Sequence, residues 1–236
     1  AREDGLISSE RQNDEVRRAI HIDRPIRDLV DWPPASFTRD GRYGERDGYE
    51  MRPINTVVNA YHYRAMDLFS RIARALRRSE DAADFAARAR KVRRTMNEKL
   101  LDRSRGVYID GEGSDHAALH ANMFPLAFGI VPDEHVASVV EFVKSRGMAC
   151  SVYGAQYLLD ALYAVGQGDY AFSLMTVEHD RGWLNMINVG STVTLEAWDW
   201  KYKNNLDWNH AWGAAPANTI PRGLFGIEPV EPGAAR

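Results

Sequence analysis

The chain has 236 residues, of which 44% are hydrophobic and 27% charged, and its 30 basic and 33 acidic side chains leave a net charge of −3. This length and apolar content can bury the core of one domain or a domain and a half, and with 10% aromatics they exclude an intrinsically disordered chain. A pI of about 6.2 without an unbalanced basic stripe argues against a nucleic-acid partner, and the lack of any run of about 18 apolar residues argues against a membrane span.

The first residues, AREDGLISSERQNDEVRR, are polar and lack the apolar stretch of a signal peptide. Residues 1–52 read as an irregular opening segment. A short polar helix is expected over Ser8–Ala19, after which Pro25, Pro33, Pro34, Gly41, Gly44 and Gly48 punctuate the chain without a sustained period. Loops of such length are uncommon in compact domains and are usually functional; Asp31-Trp32-Pro33-Pro34 stands out in this one. From Asn55 the pattern changes. Ile54, Val57, Val58, Tyr61, Ala65, Leu68, Phe69, Ile72 and Leu76 step by three and four, which predicts an amphipathic helix of five or more turns.

A second helix is expected after Ser79-Glu80, with Ser-Glu-Asp as its cap and acidic first turn and with Phe85, Ala89, Val92, Met96 and Leu100 on one face. The arginines between Arg88 and Arg94 read as its solvated face. Asp110-Gly111-Glu112-Gly113 is a turn. A very apolar helix is expected from Asp115 to Gly129, kinked by Pro125, and a shorter one from Pro132-Asp133 to Gly147 with Val136, Val139, Val140 and Val143 inward. Cys150, the only cysteine, rules out an internal disulfide and a cysteine zinc site, and beside Met148 and Ala149 it reads as a small buried residue. Two more helices are expected over Tyr153–Val165 and Asp169–Thr176. Residues 180–207 read as loop with short extended pieces, and a last helix runs from Trp208 to Phe225 with Pro221 able to break it. The fold class is therefore all-α, antiparallel helix hairpins in series over residues 53–226, followed by a turn-like tail at 227–236.

Four of the six tryptophans, Trp198, Trp200, Trp208 and Trp212, fall within fifteen residues, among Glu196, Asp199, Asp207, Asn209 and His210. A core seldom needs that density, because each buried indole N–H must find a partner. Flat aromatic faces beside carboxylates and amides suit a sugar-binding cleft. Glycoside hydrolysis needs two carboxyl groups, roughly 6.5–9.5 Å apart for inversion and roughly 5–5.5 Å apart for retention. Glu196 is the natural candidate for one, against the plain alternative that it caps a helix or pairs with an arginine. Asp31, Asp47 and Glu50 are candidates for the other, and none is singled out by spacing. His116 and His120, four apart on one expected helix, have ligand-competent spacing, but no third ligand is indicated and no metal or cofactor is expected.

The segments LVDWPP, RDGYE, NTVVNAYHYRA, HAALHANMFPLAFGIVP, GSTVTLEAWDW and NHAWGAAPANTIPRGLFGIEPVEPG together resemble the bacterial α-L-rhamnosidases of glycoside hydrolase family 78, from about Gly5 to the C-terminus. The TLEAW and NHAWG blocks in this order are the specific part. The resemblance implies part of an (α/α)6 toroid, and inverting hydrolysis of terminal α-L-rhamnosides in rhamnose-containing oligosaccharides or glycosides. It makes Glu196 the general base and places Asp31, Trp32, Asp47, His120, Trp183, Trp198 and His210 around the sugar. It also implies a general acid in an Arg-Asp-Glu-Arg-type motif upstream of the matching region, which Arg46-Asp47-Gly48 resembles only superficially. On this reading the chain is the C-terminal half of a catalytic domain, its tail leads toward a β-sandwich, and its uncovered helices are completed by a preceding fragment or by self-association. Two other functions fit the same residues: a non-catalytic carbohydrate-binding half-domain, and a helical-toroid polysaccharide lyase working through Tyr153 and His120.

Overall fold

The computed structural model describes residues 1–10, 12–26, 28–32 and 47–230. The expectations for Pro33, Pro34, Gly41, Gly44 and Arg46, and for the tail beyond residue 230, lie outside these. The chain forms two compact units. One comprises Ala1–Val30 and Gly48–Val143; the other joins Asp31, Trp32 and Asp47 to the chain from Lys144 onward.

The first unit is built on a helical hairpin. After the short helix α1 (Asp14–Ala19), α2 (Thr56–Ala75) and α3 (Ser79–Lys99) pack along each other. Asn55 caps α2, its side-chain oxygen accepting from the Val57 and Val58 N–H groups. The hairpin does not close as the periodicity predicts. Thr56, Val57, Asn59, Ala60, Ser70 and Ala73 are the buried positions of α2, and Ser70 Oγ donates to Ala82 O across the pair (2.8 Å), so small residues lie at this contact. Leu68, Phe69, Ile72 and Leu76 are exposed instead. Nor does Ser79 cap α3. Arg78 holds the N-cap position without a side-chain bond, and Ser79 is the first helical residue.

The connection between them is tight: Arg77 is left-handed (φ +58°), the Arg77 N–H donates to Arg74 O (3.0 Å) and the Arg78 N–H to Ala73 O (2.8 Å). This is the bonding of a Schellman motif with arginine where glycine is usual.

A two-residue hairpin, β1 (Leu101–Asp102) with β2 (Val107–Tyr108), interrupts the helices. The apolar helix is shorter than expected: α4 covers Leu119–Ala127, with every residue from Leu119 to Leu126 buried and Pro125 in its last turn. Residues 115–118 are held out of it by Asp110. That fully buried carboxylate accepts from Ala118 N–H (2.8 Å), from Glu50 N–H (2.7 Å) and lies 2.6 Å from His116 Nδ1. His116 therefore precedes the helix on which His120 sits, and the two do not share a helix face. Helix α5 (Asp133–Arg146) buries Val139, Val140 and Val143 as expected, while Val136 is half-buried.

The second unit centres on α6 (Val152–Ala164), whose Ala155, Leu158, Leu159 and Leu162 are fully buried. Each leucine contributes roughly 1.5–3 kcal/mol by leaving water. Helix α7 (Gly168–Met175) packs on it, and α8 (Trp183–Asn188) forms where a loop was expected.

The last expected helix is divided into a 3-10 turn over Ala211–Ala214, α9 (Ala215–Thr219) and a π-turn over Ile220–Leu224. Pro221 has no N–H to donate, and the bonding widens so that the Phe225 N–H reaches Ile220 O at 3.1 Å. Gly223 lies on the Tyr163 ring, with which a Cβ would collide at 2.5 Å.

Candidate active site

All of the site described below belongs to the second unit. Two extended stretches, residues 194–196 and 207–210, run side by side. The Glu196 N–H donates to Asp207 O (3.1 Å), the His210 N–H to Thr194 O (2.8 Å) and Thr194 Oγ1 to His210 O (2.8 Å). This pairing brings Glu196, Asp207 and His210 together. It also explains the glycine of the NHAWG block, because a Cβ on Gly213 would lie 2.6 Å from Leu195 O and 2.8 Å from Thr194 Cβ.

Glu196 is 8% exposed. Its Oε2 accepts from Lys203 Nζ at 2.8 Å and from the Asp207 N–H at 3.2 Å, while Oε1 faces Trp32 Nε1 at 3.4 Å. Burial pushes the carboxyl up. The hydrogen bond and charge of Lys203, the Asp207 N–H and the Trp32 indole outweigh it and hold Glu196 below the usual glutamate value. The group is thus a charged carboxylate in a nearly dry place, with one oxygen saturated and the other lightly engaged.

Trp32 reaches this carboxylate because Asp31 anchors it. Asp31 is 1% exposed, and its oxygens accept from Ser151 N–H (2.8 Å), Ser151 Oγ and Trp32 N–H (2.9 Å). Ser151 is at the same time the cap of α6, its Oγ accepting from the Tyr153 and Gly154 N–H groups. With its carboxylate buried, Asp31 ties the Trp32 backbone to the start of a buried helix.

Trp198 is likewise not a stacking surface. It is fully buried, donates its indole N–H to Cys150 O (2.7 Å) and supports Trp183 edge to face with ring centres 4.8 Å apart. Trp183 is half-buried and donates to Gly213 O (2.6 Å). The exposed aromatic faces are elsewhere: Trp212 (43% exposed) lies 4.6 Å from the His210 ring and 5.4 Å from the ring of Tyr153, itself 36% exposed. His210 Nδ1 accepts from the Trp212 N–H (3.2 Å), which puts the proton of the neutral ring on Nε2, free to donate.

Two further expected residues have partners of their own. Asp47 pairs with Arg146 at 3.6 Å. His120 belongs to the first unit, where it is fully buried edge-on to Tyr49. Lys203 and Asp207 had no assigned role in the sequence reading, and only the folded loop reveals what they touch.

One group among the described residues has metal-ligand character: atoms of Glu196, Asp207 and His210 lie within 4.8 Å of one another. The Lys203 ammonium already occupies Glu196 Oε2 and compensates its charge, so the donors present suit proton handling better than a cation.

A family model described as the bacterial alpha-L-rhamnosidase 6 hairpin glycosidase domain matches residues 8–224. An alpha-L-rhamnosidase of Alteromonas sp. (strain LOR) is 24% identical over 219 residues, which cover 86% of this chain and 23% of that protein. The chain therefore spans less than a quarter of the length of that relative. Among solved structures, a GH78 family rhamnosidase of Bacillus sp. GL1 superposes with a TM-score of 0.67 at 20% identity, over 92% of this chain and 21% of that one. The Streptomyces avermitilis alpha-L-rhamnosidase complexed with L-rhamnose gives 0.64 at 20% identity, over 80% and 19%. These likenesses fix the fold class as all-α, of the (α/α)6 six-hairpin kind.

Proposed function

Because the chain belongs to the bacterial alpha-L-rhamnosidase six-hairpin glycosidase family, we propose that it carries the general-base side of a glycoside hydrolase that releases terminal α-L-rhamnosyl groups with inversion. The observation that carries this reading is Glu196: a buried carboxylate kept charged by Lys203, with Oε1 left facing Trp32. In inversion a carboxylate takes a proton from water as that water attacks the anomeric carbon, while an acid on the other face protonates the departing oxygen. Glu196 Oε1 is the atom suited to the first task. Trp32, Trp212, Tyr153 and the Nε2–H of His210 supply apolar faces and a donor for the sugar. The S. avermitilis protein's complex with L-rhamnose supports rhamnose as the group recognised.

The acid is proposed to come from outside the described residues. Asp207 comes within 4.8 Å of Glu196, too close for the roughly 6.5–9.5 Å that leaves room for a water. Asp31 is consumed as an acceptor for Ser151 and Trp32, Asp47 is paired with Arg146, and Glu50 accepts from Arg52 and Ser114 in the first unit. Acid assistance is worth about 10²–10⁴-fold, so the chain alone is expected to be slow.

The test is hydrolysis of an aryl α-L-rhamnoside by the purified chain beside Glu196→Gln, with tryptophan fluorescence followed as L-rhamnose is added. The expected result is slow turnover abolished in the variant, with sugar-dependent fluorescence kept in both. Turnover unchanged in Glu196→Gln would remove the residue from its role, and turnover absent from both chains with fluorescence retained would favour the binding half-domain.

A further inference from the structure

The Lys203 ammonium is nearly as buried as the carboxylate it meets, with side chains 5% and 10% exposed. Burying a charged pair is costly unless its donors and lone pairs are used. On the ammonium every donor is: the three protons of Lys203 go to Glu196 Oε2 (2.8 Å), Asn205 O (3.0 Å) and Asn205 Oδ1 (2.9 Å). The ammonium is thus fixed in a tripod, and a neutral amine would leave one of these acceptors unserved. On the carboxylate the bonds are unequal. Oε2 receives two, from Lys203 and the Asp207 N–H, while Oε1 has the single long contact to Trp32.

Resting on the base role assigned above, we propose that Lys203, locked by Asn205, is the positioning residue of that base: it anchors Glu196 through Oε2, holds it charged, and leaves Oε1 as the oxygen that takes the proton of the attacking water. When the water attacks, its O–H bond breaks, the proton joins Oε1, and the oxygen's electron pair forms the new bond to the anomeric carbon as the glycosidic bond breaks. Lys203 keeps its protons throughout. Among the described residues, Asp207 and His210 also bring side-chain atoms within 4.8 Å of the Glu196 carboxylate. Neither makes a side-chain bond to Glu196, so the Lys203 contact is the dominant charge on it.

The experiment titrates Glu196 directly, by the carboxyl ¹³C signal of chain labelled at glutamate Cδ and assigned by its loss in Glu196→Gln, in the wild type, Lys203→Gln, Lys203→Met and Lys203→Arg. Removing the charge is expected to move the midpoint upward by about one pH unit or more, while Lys203→Arg keeps it low. Lys203→Gln retains a donor for Oε2 and guards against a variant that fails to fold. In hydrolysis of the aryl rhamnoside, the acid limb of kcat/KM follows the same midpoint and kcat falls. A midpoint and acid limb unmoved in Lys203→Gln, with Glu196→Gln still inactive, would overturn the positioning role and leave the base intact. Turnover indifferent to Glu196→Gln would remove the base, and the positioning role with it, whatever the titration shows.

Discussion

Glu196 is subject to two opposed demands, since a good base should bind protons well and a buried carboxylate beside an ammonium binds them poorly. The second prevails in the resting site. Desolvation raises its pKa, the Lys203, Asp207 and Trp32 donors together lower it by more, and the net displacement is downward from 4.5. A group with a depressed folded value adds stability above its unfolded value and loses it as pH falls through the folded one. The stability gap between the wild type and Glu196→Gln should therefore be present at neutral pH and narrow below about pH 4. Denaturant midpoints of both proteins between pH 3 and 7 check this, and a gap that does not change would contradict it. At this scale the sequence singled out Glu196 and His210 by their aromatic company. It could not reveal Lys203, because nothing local distinguishes a lysine that folds back onto a carboxylate from one left in water. Asp31 and Trp198 carried the same chemical signature as sugar-binding groups, yet their polar atoms are spent on Ser151 and on Cys150 O.

At the level of elements, existence was more legible than ends. The helices over 56–75, 79–99, 133–146, 152–164 and 168–175 lie where the apolar periodicity puts helices. The misreadings arose where something other than periodicity governs the backbone. Asp110 captures Ala118 and so shortens α4, Pro221 widens the last turn, and α8 is too short to show a period. The α2–α3 connection has its own consequence. Arg77 holds a left-handed conformation that costs a residue with a Cβ about 1 kcal/mol, whereas glycine adopts it freely. Arg77→Gly is expected to stabilise the hairpin by up to about 1 kcal/mol without altering the site. Thermal unfolding of the two chains would show it, and a lowered Tm would mean that the arginine side chain compensates for the strain.

On the scale of the whole chain, the row Leu68, Phe69, Ile72 and Leu76 is the largest departure from what an amphipathic pattern implies. The pattern correctly marked these residues as apolar and seeking cover. It could not show that α3 would settle on the small residues beside this row, touching it only where the Phe69 ring stacks on Phe85. Helices pack most closely where side chains are small, and the Ser70–Ala82 bond fixes that choice. A contiguous apolar row on the surface is uncommon in a self-sufficient domain. The native chain is expected to bind the dye ANS, and Phe69→Lys with Ile72→Lys to reduce that binding while helicity by circular dichroism is unchanged. Dye binding equal in both proteins would assign the exposed apolar surface elsewhere.

The Asp31–Ser151 bond carries an observable of its own. The first N–H groups of a helix have no carbonyl of their own to meet, and the one on Ser151 is held by Asp31 Oδ2 instead. That amide can trade its hydrogen for deuterium only when Asp31 lets go, even while α6 behind it stays wound. Its exchange rate is therefore a clock for the seating of Trp32, separate from the fraying of any helix, and a sugar resting on that indole would slow this one clock before it slowed the others.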